Sequence, residues 1–231
     1  MLSDEAPFGA ALMADLGLRG IHCGTARKFR EGWMNTDILP MPDRNGGRTE
    51  PGRIARISRT GSDHWYYLQH DSVEPYPFED GSFEWAFAEH FLEHLTPDEA
   101  AGWLSDVRRL LRPGGMVRLT TPNLRRYIEG YLDPEGRFFS EHRERVGRLR
   151  AFTAEEEVPD RRAWMVNQIF YMWHHKWIYD FDEVRYVAQR AGFDGDAVVE
   201  RAFQEGPVPE VWALDLPMRS DESLYVELTK T

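Results

Sequence analysis

Apolar positions along this chain change period several times, and the changes mark out an ordered set of elements. Ala100, Leu104, Val107, Leu110 and Leu111 recur at three- and four-residue spacing, which predicts an amphipathic helix. Thr96-Pro97-Asp98-Glu99 opens it and Pro113-Gly114-Gly115 is its stop, because threonine caps an orphan N–H, proline has none to cap, and glycine tolerates the backbone that ends helices. A second helix is predicted over Phe181 to Phe193, ending at Gly192. Leu2 to Leu18 carries Phe8, Ala11, Leu12 and Leu16 at roughly helical spacing, a short helix or equally a loose arm.

Short apolar stretches running into loops read as strands. These are Arg19 to His22 before Cys23-Gly24-Thr25, Trp33 to Ile38 around Asp37, Trp65 to His70 before Asp71, Phe83 to Ala88 before Glu89-His90, and Met116 to Thr121 before Pro122-Asn123-Leu124. Val198-Val199 and Leu224 to Thr229 are late strands. Strand, helix and strand with short connections imply a right-handed parallel crossover, and so an α/β fold. Leu39 to Asp63 is rich in Pro, Gly, Arg and Ser and reads as a surface loop. The charged run from Arg125 to Trp164, with Glu141 to Arg150 and Glu155-Glu156-Glu157, reads as solvated helix face.

Composition narrows the partners. A chain of 231 residues, 42% hydrophobic, buries one sizeable core. Its 28 Lys and Arg against 39 Asp and Glu give a net charge of -11, which opposes nucleic acid and anionic lipid. No apolar run is long enough to span a membrane, and the N-terminal stretch, with Asp4, Glu5 and Asp15, is not a secretory signal. The single cysteine, Cys23, excludes an internal disulfide and a multi-cysteine zinc site, so the cytoplasm is the expected compartment.

Four strands end in small or acidic polar residues, Gly24, Asp37, Asp71 and Glu89-His90. In an open parallel sheet such residues line one crevice. Cys23 has no base beside it and reads as a packing thiol. His22, His90 and His94 invite a metal, but His90 and His94 lack an HExxH context. Capping and packing are therefore expected of them, with no metal site. Asn167 to Tyr179 brings together Phe170, Tyr171, Trp173, Trp177 and Tyr179 with His174 and His175, either as core or as a lid over the crevice.

The ordered combination of Ile21-His22-Cys23-Gly24-Thr25, Gly32 to Asp37, Asp71 with Pro77-Phe78-Glu79-Asp80-Gly81-Ser82-Phe83, Glu89-His90-Phe91-Leu92-Glu93-His94-Leu95, Leu110-Leu111-Arg112-Pro113-Gly114-Gly115, His175 to Asp180 and Ala191-Gly192-Phe193 resembles the class I S-adenosylmethionine (SAM)-dependent methyltransferases. The likeness is to the small bacterial branch with a methyltransferase type 11 core, and it spans about residues 19 to 193. It implies a doubly wound, mostly parallel Rossmann-like sheet in a single domain over 1–231. A surface loop near 39–63 and a helical and aromatic lid insertion near 125–180 would interrupt that domain.

The resemblance implies SAM as cofactor, held by His22, Cys23, Gly24, Thr25, Asp37, Asp71, Ser72, Glu89 and His90. A strand-end glycine admits close backbone approach, Asp37 suits paired ribose hydroxyls, and Asp71 with Ser72 suits the adenine edge unless Asp71 caps a turn. The first loop departs from the family, since Thr25-Ala26-Arg27 follows Gly24 where many relatives place a second glycine. His90, His174 and His175 are the candidate bases. The expected activity is methylation of an O or N atom of a small biosynthetic molecule, with a homodimer left open. Two alternatives stand beside it: attack on the aminocarboxypropyl chain of SAM with release of methylthioadenosine, and a non-catalytic SAM-fold subunit that binds a protein partner.

Overall fold

The computed structural model describes residues 6–43, 47–58, 64–149 and 160–231. In chain order the elements are α1 (Ala10–Asp15), β1 (Gly20–Cys23), β2 (Trp33–Asp37), β3 (Ile54–Ile57), β4 (Trp65–Gln69), β5 (Phe83–Glu89), α2 (Pro97–Leu110), β6 (Leu111–Pro122), α3 (Leu124–Leu132), α4 (Arg137–Leu149), α5 (Arg162–Tyr171), α6 (Phe181–Arg190), β7 (Val198–Arg201), α7 (Pro209–Trp212) and β8 (Ser223–Thr229). Among the described residues the strands form one sheet in the order β3-β4-β2-β1-β5-β6-β8-β7. β4, β2, β1, β5 and β6 are parallel neighbours. β3 runs antiparallel to β4, and β8 lies antiparallel between β6 and β7.

The sheet is doubly wound because the chain leaves β1 toward β2 and β4, then returns past it to β5. That reversal opens a crevice beyond the carboxyl ends of β1, β2 and β5. Both sheet faces are covered, so β1 and β2 are buried along their whole length. One face packs Ile21, Ala86, Val117 and Leu119 against Leu104 and Val107 of α2 and Val184 and Val187 of α6. The other packs Trp33, Phe87 and Met116 against Val211 of α7.

The start of α2 is as its sequence specifies: Glu99 N–H donates to Thr96 Oγ1, and Thr96 N–H donates to the Glu99 carboxylate. Its end is not. The helix stops at Leu110, and β6 already begins at Leu111, so Pro113-Gly114-Gly115 lies within the strand, where the pairing with β5 shifts register. A Cβ on Gly115 would stand 2.9 Å from the Glu84 carbonyl oxygen, so the glycine serves close strand approach rather than helix termination. The stretch from Leu39 to Asp63, expected to be loop, contains β3, whose Ile54 and Ile57 pair opposite Leu68 and Trp65. Four residues between turn signals carry too short a pattern to register as a strand; the β4 edge supplies the partner.

The charged run between Arg125 and Trp164 forms α3, α4 and the start of α5, while 150–159 lie outside the described residues. It is not solvated all round: Tyr127, Phe138, Phe139, Met165, Ile169 and Ile178 make a second apolar cluster. The aromatic stretch divides, with Tyr179 in the main core and Tyr171 (81%) and Trp177 (45%) exposed. Among the described residues no helix is long and apolar enough to cross a membrane.

Arg118 of β6 is fully buried. Its five N–H donors are all used: Nε and Nη2 donate to the two Asp215 oxygens at 2.8 and 2.6 Å, Nη1 to Glu227 Oε1 and the Glu205 carbonyl, each at 2.9 Å, and Nη2 also to the Ala202 carbonyl at 3.2 Å. Arg118→Met leaves the buried Asp215 carboxylate without a cation and Glu227 with Arg201 alone, and is expected to cost about 3 to 5 kcal/mol, read from urea denaturation. A loss below about 1 kcal/mol would mean that water or rearrangement replaces the guanidinium.

Candidate active site

The crevice at the switch point is built from the last residues of β1, β2 and β5. Gly24 follows β1 with φ at +63°, a conformation that favours glycine. The space its missing Cβ leaves is filled by the Phe91 ring, 2.4 Å from where a Cβ would stand, so this glycine serves packing as well as approach. Asp37 ends β2 and folds the first loop onto itself: Ala26 N–H donates to Oδ2 at 2.7 Å and Leu39 N–H to Oδ1 at 3.0 Å. Each oxygen keeps a second lone pair for a ligand. Glu89 ends β5 buried, accepting from Lys28 Nζ at 2.8 Å and from Leu216 N–H at 3.2 Å.

The other residues assigned to this crevice by sequence divide into inward and outward groups. Thr25 is buried, and its Oγ1 finds no partner among the described residues. Asp71 is exposed and caps its own turn through Val73 N–H, and Ser72 is buried with its hydroxyl on Tyr76 at 2.8 Å. Cys23 points into the same buried group, where burial pushes its thiol up to about 11. His22 is buried against Phe87, ring centroids 5.3 Å apart. Ile38, directly after Asp37, and Val73, beyond Asp71, are apolar yet exposed at 59% and 44%.

Beyond β5 and β6 lies a cavity of about 260 Å³ whose lining includes His90, Glu93, His94, Tyr127, His142 and His175. His90 has φ at +47° and donates its N–H to the Thr120 carbonyl, so the chain turns sharply out of β5. Arg219 Nη1 lies 2.8 Å from His90 Nδ1, and Ser223 Oγ lies 2.7 Å from Nε2. Arginine only donates, which fits a ring protonated on Nε2, with that proton given to Ser223. Both nitrogens are then occupied, and His90 holds its neighbours rather than offering a free lone pair. His175 gives Nδ1–H to the Ile169 carbonyl at 2.6 Å, and burial lowers its imidazole pKa. His174, the third histidine candidate, is exposed and away from the cavity lining.

Glu93 is wholly buried. Thr121 Oγ1 donates to Oε2 at 3.1 Å, and the Glu93 carbonyl accepts Lys176 N–H at 2.7 Å and Trp177 N–H at 3.2 Å. His94 stands edge-on to His175, ring centroids 4.9 Å apart. Across the cavity Tyr127 donates to Glu222 at 2.7 Å and His142 bonds Asp221 at 2.9 Å. His142 was hidden in the charged run; its spacing from Phe138 and Phe139 marks the buried face of α4.

Residues 50–119 match the family model for a methyltransferase domain, a span from the approach to β3 into β6 that contains Asp71, Glu89, His90, Glu93 and His94. Among curated proteins no sequence matches this chain. Similar solved structures include a SAM dependent methyltransferase from Archaeoglobus fulgidus, 12% identical over 96% of this chain and 92% of that one, with a TM-score of 0.46. Another is Haemonchus contortus phosphoethanolamine N-methyltransferase 2 in complex with phosphomonomethylethanolamine and S-adenosylhomocysteine, 13% identical over 93% of this chain and 49% of that one, with a TM-score of 0.44.

His22 makes the site's foundation sensitive to acid. Burial, then the charge of Arg30, lowers its pKa to about 3, so between pH 6.5 and 3 the unfolded chain holds a proton that the folded chain refuses. Stability therefore falls as pH drops through that window, by about 1.4 kcal/mol per unit well below 6.5. From pH 7 to 5 this amounts to about 2 kcal/mol. Urea denaturation at the two pH values is expected to show that much more acid loss in the natural protein than in His22→Gln; equal losses would assign the acid sensitivity elsewhere.

Proposed function

We propose that this chain, a member of the class I SAM-dependent methyltransferase family, moves a methyl group onto an oxygen or nitrogen atom of a small acceptor held in the cavity beyond β5 and β6. The observation that carries the reading is the turn at the end of β5. Glu89 and His90 are consecutive, yet Glu89 is tied to Lys28 of the first loop while His90 lines the cavity. One turn thus joins the cofactor crevice to a pocket sized for a small molecule.

The residues of the crevice fit SAM. Asp37 has lone pairs left for vicinal ribose hydroxyls, Ile38 and Val73 offer apolar surface to an adenine ring, and the unpartnered Thr25 hydroxyl is a polar group awaiting a ligand. SAM, when bound, supplies an electrophilic methyl group on a sulfonium. What the protein adds is alignment, since in-line transfer depends mainly on position. His90, fixed by Arg219 and Ser223, is a positioning residue. His90, Glu93, His94 and His175 line the wall against which the acceptor would be oriented.

Incubation with SAM alone and with SAM plus a small-molecule extract tests the reaction class by mass spectrometry. Adenosylhomocysteine formed only with extract is the expected result. Methylthioadenosine from SAM alone would replace methyl transfer by attack on the aminocarboxypropyl chain, and tight SAM binding with neither product would make the chain a non-catalytic subunit. Asp37→Ala is expected to weaken SAM binding by about 1 to 3 kcal/mol in calorimetry; unchanged affinity would remove Asp37 from the crevice.

A further inference from the structure

Two buried acceptors face each other across the cavity. The Ile169 carbonyl can only accept, so the short bond to His175 Nδ1 puts that ring's proton on Nδ1 and leaves Nε2 as a lone pair. Nε2 stands 4.0 Å from Glu93 Oε1. That oxygen is buried in a fully buried carboxylate and finds no hydrogen-bond donor among the described residues. Two lone pairs opposed in a poorly solvated place are costly unless a positive group stands between them. One donor atom from each of Glu93, His94 and His175 lies within 4.8 Å of the other two.

The geometry points to a divalent metal site made of Glu93, His94 and His175, with its open coordination positions facing the acceptor cavity. Ligands bound at about 2.1 Å stand roughly 3 to 3.5 Å apart, so the three side chains close by about an ångström through rotation. The outer contacts are those that metal ligands require. The Ile169 carbonyl fixes the His175 tautomer, Thr121 holds the second Glu93 oxygen, and the Glu93 carbonyl ties down Lys176 and Trp177, which follow His175 directly. His90 Nδ1 is 3.3 Å from Glu93 Oε1, but Arg219 occupies that nitrogen and keeps it out of the set.

One carboxylate with two imidazoles suits manganese, iron, cobalt or zinc better than magnesium or calcium, which prefer oxygen alone. Three protein ligands leave room for an oxygen donor of the acceptor, a hydroxyl or a carboxylate. This place for the acceptor rests on the methyl-transfer reading; the metal site does not. The sequence concealed it because His175 follows Glu93-His94 by some eighty residues, and only the bonds from Lys176 and Trp177 to the Glu93 carbonyl bring the two segments together.

The test uses the full chain, stripped with a chelator and titrated with Co²⁺ by visible absorption and with Zn²⁺ by calorimetry and thermal melting. One ion per chain and a higher melting temperature with Zn²⁺ are expected. His94→Ala and His175→Ala, each retaining SAM binding as proof of folding, should lose at least about 100-fold in affinity, while His174→Ala, outside the cluster, should bind as the natural protein does. No stoichiometric binding, or equal affinity in His94→Ala and His175→Ala, would overturn the site. If the ion binds as stated and no adenosylhomocysteine forms with any extract, the metal site stands and the methyl-transfer reading fails. If product forms equally in stripped protein, the assignment of the open positions to the acceptor is overturned.

Discussion

A buried charge must find its opposite before the chain can close around it, and here that requirement is met by Arg118. Removing an arginine from water costs several kcal/mol even after relaxation, and β6 places this one on a sheet face covered by other segments. Its compensation comes from Glu227 directly opposite on β8, from Asp215, and from the carbonyls of Ala202 and Glu205. The guanidinium therefore fixes the path of the chain after β7. That path delivers Leu216 to Glu89 and Arg219 and Ser223 to His90. Through these contacts the site's geometry depends on an ion cluster that touches no ligand.

Glu93 repeats the logic on the other wall. Its side chain bonds β6 through Thr121 and its backbone carbonyl bonds the segment after α5, so the small cluster of α3, α4 and α5 is docked onto the carboxyl end of the sheet. The Lys176 ammonium reinforces the dock at Glu99 in the first turn of α2, at 2.8 Å. Partly open to water at both partners, that bridge contributes little; the backbone bonds to Glu93 hold the position. Residues read from sequence as a lid thus form a wall with its own core.

What the sequence disclosed is what its local pattern determines. The capping box of α2, the five parallel strands and the acidic or small residues at their ends are each set by neighbours within a few positions, and each is found in place. Features set by distant partners were not legible. β3 exists because β4 has an edge to offer, and Pro113-Gly114-Gly115 became part of a strand because Glu84 approaches Gly115. His142 took its place from the packing of α4 on α3, and the meeting of Glu93, His94 and His175 required the segment after α5 to dock on the Glu93 carbonyl. Side-chain direction was also hidden: Cys23, Ser72 and His22 stand at strand ends yet turn inward, since a parallel sheet covered on both faces buries alternate residues on either side.

That burial rule explains where chemistry resides. Where both faces are filled, as along β1 and β2, a side chain meets the crevice only where the strand has ended, and the chain must turn within one or two residues to present it. Non-glycine residues in the left-handed region mark such turns at a cost of about 1 to 3 kcal/mol each. Among the described residues five adopt it, and three of them, Ala26, His90 and Trp173, flank the crevice or the cavity. The strain at His90 is offset by the bond from its N–H to Thr120 and by the two partners of its ring. Ala26 is held by Asp37, and Trp173 and His174 precede the His175 bond to Ile169. In each case the group that restrains the unfavourable turn is also a group that shapes the site, so local strain, hydrogen bonding and function are properties of the same few residues.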